Sequence, residues 1–256
     1  MDQSTDAKVD ALVDALSESE TAVVLTGAGV STASGIPSFR GEDGLWNEFD
    51  EMAFHRRRLD ADPAGFWTDR VDLRERIYGD EPGGDAIEPN AAHEALAALE
   101  AAGHVDAVLT QNIDGLHQDA GSEQVIELHG THRHVACDDC GARQAAGPVF
   151  ERAADGELPP RCGCGGVLRP DVVLFGESLP GEAIEEANRL AHRADCFLAV
   201  GSSLTVHPAA GLPARAARSG ATLGIVNLEP TEKDDAAAVV VRDDVTTILP
   251  AIARQR

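Results

Sequence analysis

The chain has 256 residues, 43% of them apolar, with 44 acidic against 21 basic side chains and a net charge of −23. Its length suits one large domain carrying a smaller insertion. No apolar run approaches the ~18 residues needed to cross a bilayer, and Met1 to Asp10 has neither the basic nor the apolar region of a secretory signal. A membrane protein and a secreted one are thereby excluded, and a cytoplasmic location is expected. The acidic charge works against direct nucleic-acid binding, which needs Lys and Arg on the phosphates.

In chain order, Val9, Leu12, Val13 and Leu16 recur at helical spacing and predict an amphipathic helix. Ala22 to Thr26 reads as a buried strand, closed at once by Gly27-Ala-Gly29. A helix is predicted around Asn90 to Ala102, a strand over Val105 to Leu109 ending in Thr110-Gln-Asn-Ile-Asp-Gly115, and a short strand at Val125, Ile126 and Leu128 delivering His129. Val172 to Leu174 is extended. Pro180 to Ala194 and Pro208 to Ser219 are helical. Strands are expected at Cys196 to Val200, Thr222 to Val226 and Val239 to Val241, before a last helix through Val245, Ile248, Leu249 and Ile252.

Short apolar strands alternating with helices predict an α/β fold with a doubly wound, parallel, Rossmann-like sheet. Ranges 40–90 and 130–170 break that rhythm and are assigned to a smaller lobe. The expected division is 1–40, 90–130 and 171–256 for the dinucleotide-binding domain, 41–89 for the helical part of the small lobe and 131–170 for a metal-binding module. Ligands of such sheets sit at the carboxyl ends of the strands. Here those ends carry Gly27-Ala-Gly29, Gln111-Asn-Ile-Asp114, His129, Gly201-Ser-Ser203 and Asn227-Leu-Glu229, small or polar groups at five separate places. Gly27, Ala28 and Gly29 are expected to let backbone N–H groups reach a pyrophosphate near a helix N-terminus. The dehydrogenase fingerprint is not met, because Thr32 stands at its third glycine and Asn47 to Met52, where an acidic ribose ligand would fall, does not resemble a strand end. The sheet is therefore expected to hold a dinucleotide in another manner, with the ribose role at Asn227 or Glu229.

The cysteines fall into a pattern. Cys137-Asp-Asp-Cys140 and Cys162-Gly-Cys164 are two chelating pairs separated by 21 residues. In a long chain without a signal, such pairs predict one structural zinc with four ligands. The second pair is one residue shorter than the usual knuckle, which leaves His132 or His134 open as a replacement ligand. Cys196, inside an apolar run, is expected to be a buried small hydrophobe.

Acidic groups spread along the whole chain, with only Lys8 and Lys233 as lysines, suggest a protein adapted to concentrated salt, where a Debye length of about 3 Å at 1 M screens the mutual repulsion of carboxylates.

Several long stretches resemble the sirtuins. They are Gly27-Ala-Gly-Val-Ser-Thr-Ala-Ser-Gly-Ile-Pro-Ser-Phe-Arg40, Thr110-Gln-Asn-Ile-Asp-Gly-Leu-His117, Glu127-Leu-His-Gly130, both cysteine pairs, Leu168-Arg-Pro-Asp-Val-Val-Leu-Phe-Gly-Glu177, Gly201-Ser-Ser-Leu204 and Val226-Asn-Leu-Glu229. The resemblance implies an NAD-dependent protein lysine deacylase: the acyl-lysine carbonyl oxygen attacks C1′ of the nicotinamide ribose, nicotinamide leaves, and lysine and O-acyl-ADP-ribose follow. It implies His129 as the general base on the ribose hydroxyl, with Asn112 beside it as a catalytic residue. Imidazole, with an ordinary pKa of about 6.5, suits that proton transfer.

By the same resemblance Gly27, Ala28, Gly29 and Ser31 lie on the cofactor. Phe39 and Arg40 close over its nicotinamide end. Gln111, Asn112, Ile113 and Asp114 line the nicotinamide pocket, though Asp114 is equally suited to cap a helix. Gly201, Ser202, Ser203, Asn227, Leu228 and Glu229 hold the adenosine half, with Val245 touching the adenine by its backbone. Val173, Phe175, Gly176 and Glu177 pair with the peptide of an acyl-lysine protein substrate. His117 is expected to pack or cap. Members preferring malonyl- or succinyl-lysine carry Tyr-x-x-Arg; here Tyr78 is the single tyrosine and Glu81 follows it, so a neutral acyl group, acetyl first, is expected. An oxidoreductase, a non-catalytic NAD sensor and a mono-ADP-ribosyltransferase are the competing readings.

Overall fold

The computed structural model describes residues 3–38, 44–78 and 87–256. Helix α1 (Gln3–Glu18) leads into β1 (Ala22–Thr26), followed by two 3-10 turns at Ala28–Val30 and Thr32–Ser34. Two helices, α2 (Arg56–Ala61) and α3 (Pro63–Tyr78), precede α4 (Ala91–Ala101), β2 (Ala107–Thr110), the single turn α5 (Leu116–Asp119) and β3 (Val125–Glu127). Strands β4 (Gly130–Cys137) and β5 (Arg143–Ala145), helix α6 (Ala146–Ala154) and strand β6 (Leu168–Val172) follow. The chain closes with α7 (Gly181–Arg193), β7 (Cys196–Val200), α8 (Leu212–Arg218), β8 (Thr222–Val226), β9 (Val239–Val241) and α9 (Val245–Ala253).

The first sheet is parallel, in the order β3-β2-β1-β7-β8-β9. The strand order reverses between β1 and β7, the point at which a doubly wound sheet opens a crevice beyond its carboxyl ends. Both faces are covered, which is why β1 and β7 are buried at every position instead of alternating. On one face Leu12 and Leu16 of α1, Leu96 and Leu99 of α4 and Ile248 and Ile252 of α9 pack on Val24, Val108 and Leu198. On the other, Ala187 and Ala191 of α7 and Ala216 of α8 pack on Val23, Leu25, Phe197 and Ile225. Gly224 is required on β8, because a Cβ there would stand 2.5 Å from a Leu12 methyl.

A second, antiparallel sheet runs β5-β4-β6. Its core is shared with the first helical insertion. Leu59, Phe66 and Trp67 of α2 and α3 pack with Val135, Val149 and Leu168, the indole N–H of Trp67 donates to the Leu168 carbonyl at 2.7 Å, and its ring meets Phe150 edge-on at 5.0 Å. The two ranges that break the βα rhythm thus bury their apolar faces against each other. Gly130 starts β4 in the left-handed region at φ 76°, where a Cβ would stand 2.3 Å from the Asp171 carbonyl oxygen.

Three local expectations differ. No regular α-helix directly follows Gly27-Ala-Gly29; the described chain there makes 3-10 turns at Ala28–Val30 and Thr32–Ser34. The extended segment expected at 172–174 begins earlier, at Leu168. The helix expected from Pro208 is a 3-10 turn at Ala209–Gly211 before α8.

Candidate active site

Five loops meet at the carboxyl ends of the parallel strands. After β1, the Gly27 N–H donates to the Val200 carbonyl at 3.2 Å and the Gly29 N–H to the Gly201 carbonyl at 2.8 Å. A Cβ on Gly27 would lie 2.8 Å from that of Ser202, and one on Gly29 would lie 2.8 Å from the Gly201 oxygen. The Gly27 and Gly29 N–H groups, expected to reach a phosphate, each have a carbonyl partner in this structure. Glycine is needed because the β1 and β7 loops touch backbone to backbone.

The β2 loop supplies the polar centre. Asn112 Nδ2 donates to the Gly27 carbonyl at 3.2 Å and to Ser31 Oγ at 3.0 Å; Ser31 Oγ donates to Asp114 Oδ2 at 2.7 Å. The other Asp114 oxygen accepts the Leu116 N–H at 3.0 Å, while the N-cap of α5 is the next residue, Gly115, and not Asp114 as its sequence position suggested. Gln111 Nε2 donates to Ser202 Oγ at 2.7 Å, tying β2 to β7 across β1. Gly201 turns in the left-handed region at φ 58°, and buried Leu204 does so too at φ 54°, a strained conformation for a side chain with a Cβ.

After β3, His129 is half-buried, and its Nδ1 lies 2.9 Å from the Gln111 carbonyl. A carbonyl can only accept, so Nδ1 carries the proton and Nε2 keeps its lone pair. Burial pulls the His129 pKa below the ordinary value, and the Gln111 bond resists in part. The arrangement is that of a neutral, oriented base. The His129 carbonyl accepts the Val173 N–H at 2.9 Å, which places the 173–177 segment beside it. Phe175 is already paired there, its N–H to the Phe54 carbonyl and its carbonyl from the Arg56 N–H, each at 3.0 Å. Glu177 turns inward to Arg169 and Arg56.

On the far side of the crevice, Asn227 is buried and its Nδ2 donates to the Glu229 carbonyl at 2.8 Å, Leu228 is 65% exposed, Ser203 and Glu229 are exposed, and Val245 opens α9 with its side chain in the core. Ile113 is half-buried and holds His132: its carbonyl lies 2.5 Å from His132 Nδ1. Phe39, Arg40 and Glu81 fall outside the described residues.

Sequence reasoning missed a buried layer beneath the centre. His117 Nε2 lies 2.9 Å from Thr26 Oγ1, which bonds Thr110 Oγ1 at 2.9 Å; Thr110 Oγ1 in turn accepts the Asn112 N–H at 3.0 Å. His93 packs edge-on against His117 at 4.9 Å. Asn90 and His93 form a reciprocal cap on α4, a pattern legible at Asn90-Ala-Ala-His93. Burial drives the His117 pKa down to about 3, with His93 adding to the effect, and burial also lowers His93 and His132. These folded-state values lie below those of the unfolded chain. Their stabilisation is complete above the ordinary pKa near 6.5 and is lost as pH falls through the folded values, because the unfolded state takes up the protons first. At pH 5, His117 alone should cost about 2 kcal/mol relative to pH 7. Urea midpoints at the two pH values should move apart less in His117→Gln than in the unaltered protein; equal separations would refute this.

In the second sheet, the Sγ atoms of Cys137, Cys140, Cys162 and Cys164 lie within 4.8 Å of one another, with Cys137–Cys164 at 3.5 Å and Cys140–Cys162 at 3.8 Å. A tetrahedral zinc with bonds of about 2.3 Å needs sulfur separations of roughly 3.8 Å, so the donor set fits. The tight Cys162-Gly-Cys164 spacing is absorbed by a turn, Gly165 N–H to the Cys162 carbonyl at 2.9 Å. Gly166 must be glycine, since a Cβ would stand 2.6 Å from Cys137 Sγ. Neither His132 nor His134 belongs to the cluster found among the described residues. Cys196 is buried, and its thiol is pushed up to about 12 by burial and by Asp195.

The class so defined is a doubly wound α/β protein with a crevice at its switch point and a tetrathiolate module set into it. The Sir2 family model matches residues 27–208, and the chain belongs to that family. It is 66% identical over 249 residues to an NAD-dependent protein deacetylase of Haloarcula marismortui, covering 96% of this chain and 94% of that one. An NAD-dependent protein deacetylase of Sulfurisphaera tokodaii is 46% identical over 95% of this chain and 94% of its own. Among solved structures, a Sir2 enzyme 42% identical superposes with a TM-score of 0.86 over 98% of each chain. A complex of Sir2 with p53 peptide and NAD+, 37% identical, gives 0.85 over 96% of this chain and 98% of that one.

Proposed function

We propose that this chain is an NAD-dependent protein lysine deacetylase, which consumes NAD+ and an acetyl-lysine protein and yields lysine, nicotinamide and O-acetyl-ADP-ribose. The observation that carries the reading is His129: its ring is fixed at Nδ1 by the Gln111 carbonyl of the β2 loop, which leaves Nε2 unprotonated, and its backbone carbonyl is tied to the 173–177 segment through the Val173 N–H. His129 would take the proton of the ribose hydroxyl. Asn112, held by the Gly27 carbonyl and Ser31, would order the pocket floor, with Asp114 and Ile113 beside it for the carboxamide of nicotinamide. Ala28, Gly201, Ser202, Ser203, Asn227, Leu228, Glu229 and the Val245 backbone would receive the rest of the dinucleotide, with Phe39 and Arg40 closing over it. Since both backbone groups of Phe175 and the Val173 N–H are already paired, peptide pairing would rest on the Val173 carbonyl and on Gly176. The division into a dinucleotide-binding domain at 1–40, 90–130 and 171–256 and a small lobe at 41–89 and 131–170 belongs to the same proposal, as do a cytoplasmic location and adaptation to concentrated salt. Direct nucleic-acid binding is not expected of so acidic a chain.

A neutral acyl group is supported by Arg70 and Arg74 of α3. Arg70 is buried, with Nη2 2.9 Å from the Ala53 carbonyl and its guanidinium over the Phe54 and Phe66 rings at 3.9 and 4.9 Å; Arg74 lies over Phe150 at 5.0 Å. Both are committed to aromatic faces. The test is a mass-spectrometric product assay with NAD+ and acetyl- or succinyl-lysine peptides. Acetyl peptide should release equal amounts of nicotinamide and O-acetyl-ADP-ribose at least tenfold faster than succinyl peptide turns over, since a charge lacking a partner in the acyl channel is expensive. Nicotinamide release that ignores the peptide, or ADP-ribose appearing on protein, would reject the proposal.

A further inference from the structure

Arg56 opens α2, far in sequence from both the thiolate cluster and the peptide segment, and joins the two. Its Nη1 and Nη2 fork onto the Asp138 carboxylate at 3.1 and 2.8 Å, and Nη1 also lies 3.4 Å from Glu177 Oε1. Its Nε is bound by Asp60 at 2.8 Å, which fixes the plane of the guanidinium. Asp138 stands between Cys137 and Cys140, inside the metal knuckle. Glu177 accepts a second fork, from Arg169 Nη1 at 2.5 Å and Nη2 at 3.0 Å, and its carboxylate accepts the Leu174 N–H at 2.9 Å. Arg169 Nη2 also holds the Val172 carbonyl at 2.7 Å. The backbone repeats the connection, Arg56 N–H to the Phe175 carbonyl. Beneath the turn, Gly176 sits at φ 87° so close to the His55 ring that a Cβ would lie 2.4 Å from Cε1.

Solvent-facing ion pairs of this kind contribute little stability, about 0–1 kcal/mol each. Their geometry is another matter. A planar fork on Asp138, a second contact on Glu177 and a third on Asp60 leave the guanidinium one orientation, and a lysine cannot reproduce it. The segment so held is the one that follows the Val173 N–H bond to the His129 carbonyl.

We propose that Arg56 is a positioning residue for the acyl-peptide substrate: its clasp on Asp138 and Glu177 holds residues 173–177 in the shape that receives the peptide and fixes that segment to the thiolate knuckle. The proposal rests on the deacetylase reading above. The test compares the unaltered protein with Arg56→Ala, Arg56→Lys and Asp138→Asn, measuring peptide affinity by fluorescence anisotropy, NAD+ affinity by calorimetry, kcat and both KM values, and metal per chain. Arg56→Ala should weaken acetyl-lysine peptide binding and raise the peptide KM about tenfold, while kcat, the NAD+ KM and metal content stay within twofold. Arg56→Lys, which keeps the charge and guards against misfolding of the alanine variant, should recover less than half of that loss. Asp138→Asn should shift the peptide KM in the same direction, and adding it to Arg56→Ala should change little, since both remove one connection. A peptide KM within twofold of the unaltered protein in Arg56→Ala overturns the proposal. So does a parallel loss of NAD+ affinity or metal, which would make Arg56 general scaffolding. An unaltered protein that binds no acetyl-lysine peptide would instead remove the deacetylase reading, and the clasp with it.

Discussion

His129→Ala should lower kcat/KM for an acetyl-lysine peptide by about two to four orders of magnitude, the range a positioned general base contributes. Affinity for NAD+ should change by less than threefold, because among the described residues the ring bonds to the Gln111 carbonyl alone, which water can satisfy in the variant. The pH profile gives a second handle. Burial holds the His129 pKa below its ordinary value, so the neutral base persists into mildly acidic solution, and the acid limb of kcat/KM should fall below pH 6.5. An acid limb above neutrality, or a variant retaining a tenth of the activity, would assign the base elsewhere.

Metal removal should have the other large effect. Three short strands and one helix of nine residues make a core that Leu59, Phe66 and Trp67 complete from outside. Such a module has too little apolar surface to stand without its cross-link. Zinc supplies a tetrahedral anchor for the four thiolates, and in small domains such binding is worth about 10 kcal/mol or more of folding free energy. Chelation should therefore release one zinc per chain, expose four rapidly reacting thiols while Cys196 stays protected, and reduce deacetylation by at least a hundredfold. The parallel sheet, with its own two cores, should keep its circular-dichroism signal. A chelated protein with full activity, or with fewer than four reactive thiols, would refute this account.

The parallel sheet was legible because its strands are short apolar runs ended by glycine, and periodicity alone separates them from the helices between. Ala22 to Thr26 and Cys196 to Val200 are buried at every position, as that pattern requires. The four cysteines were legible as a ligand set, and they converge despite the short second pair because Gly165 and Gly166 let the turn tighten. The roles of individual groups were not. Nothing in Gly27-Ala-Gly29 tells whether its N–H groups face a ligand or a neighbouring strand; that depends on β7, about 170 residues away in sequence but adjacent in space. Arg56 reads as an ordinary surface charge until the fold sets it between Asp138 and Glu177. The layer of His117, Thr26 and Thr110 is likewise a long-range assembly, carrying no periodic signal.

The backbone contact between Gly29 and Gly201 also bears on how mutagenesis of this enzyme should be read. Alanine at either position would push the β1 and β7 loops apart, and coenzyme affinity would fall through that displacement as well as through any lost contact. A survey scoring only coenzyme binding could not separate a lost contact at these glycines from a failure of the seam between the two halves of the molecule.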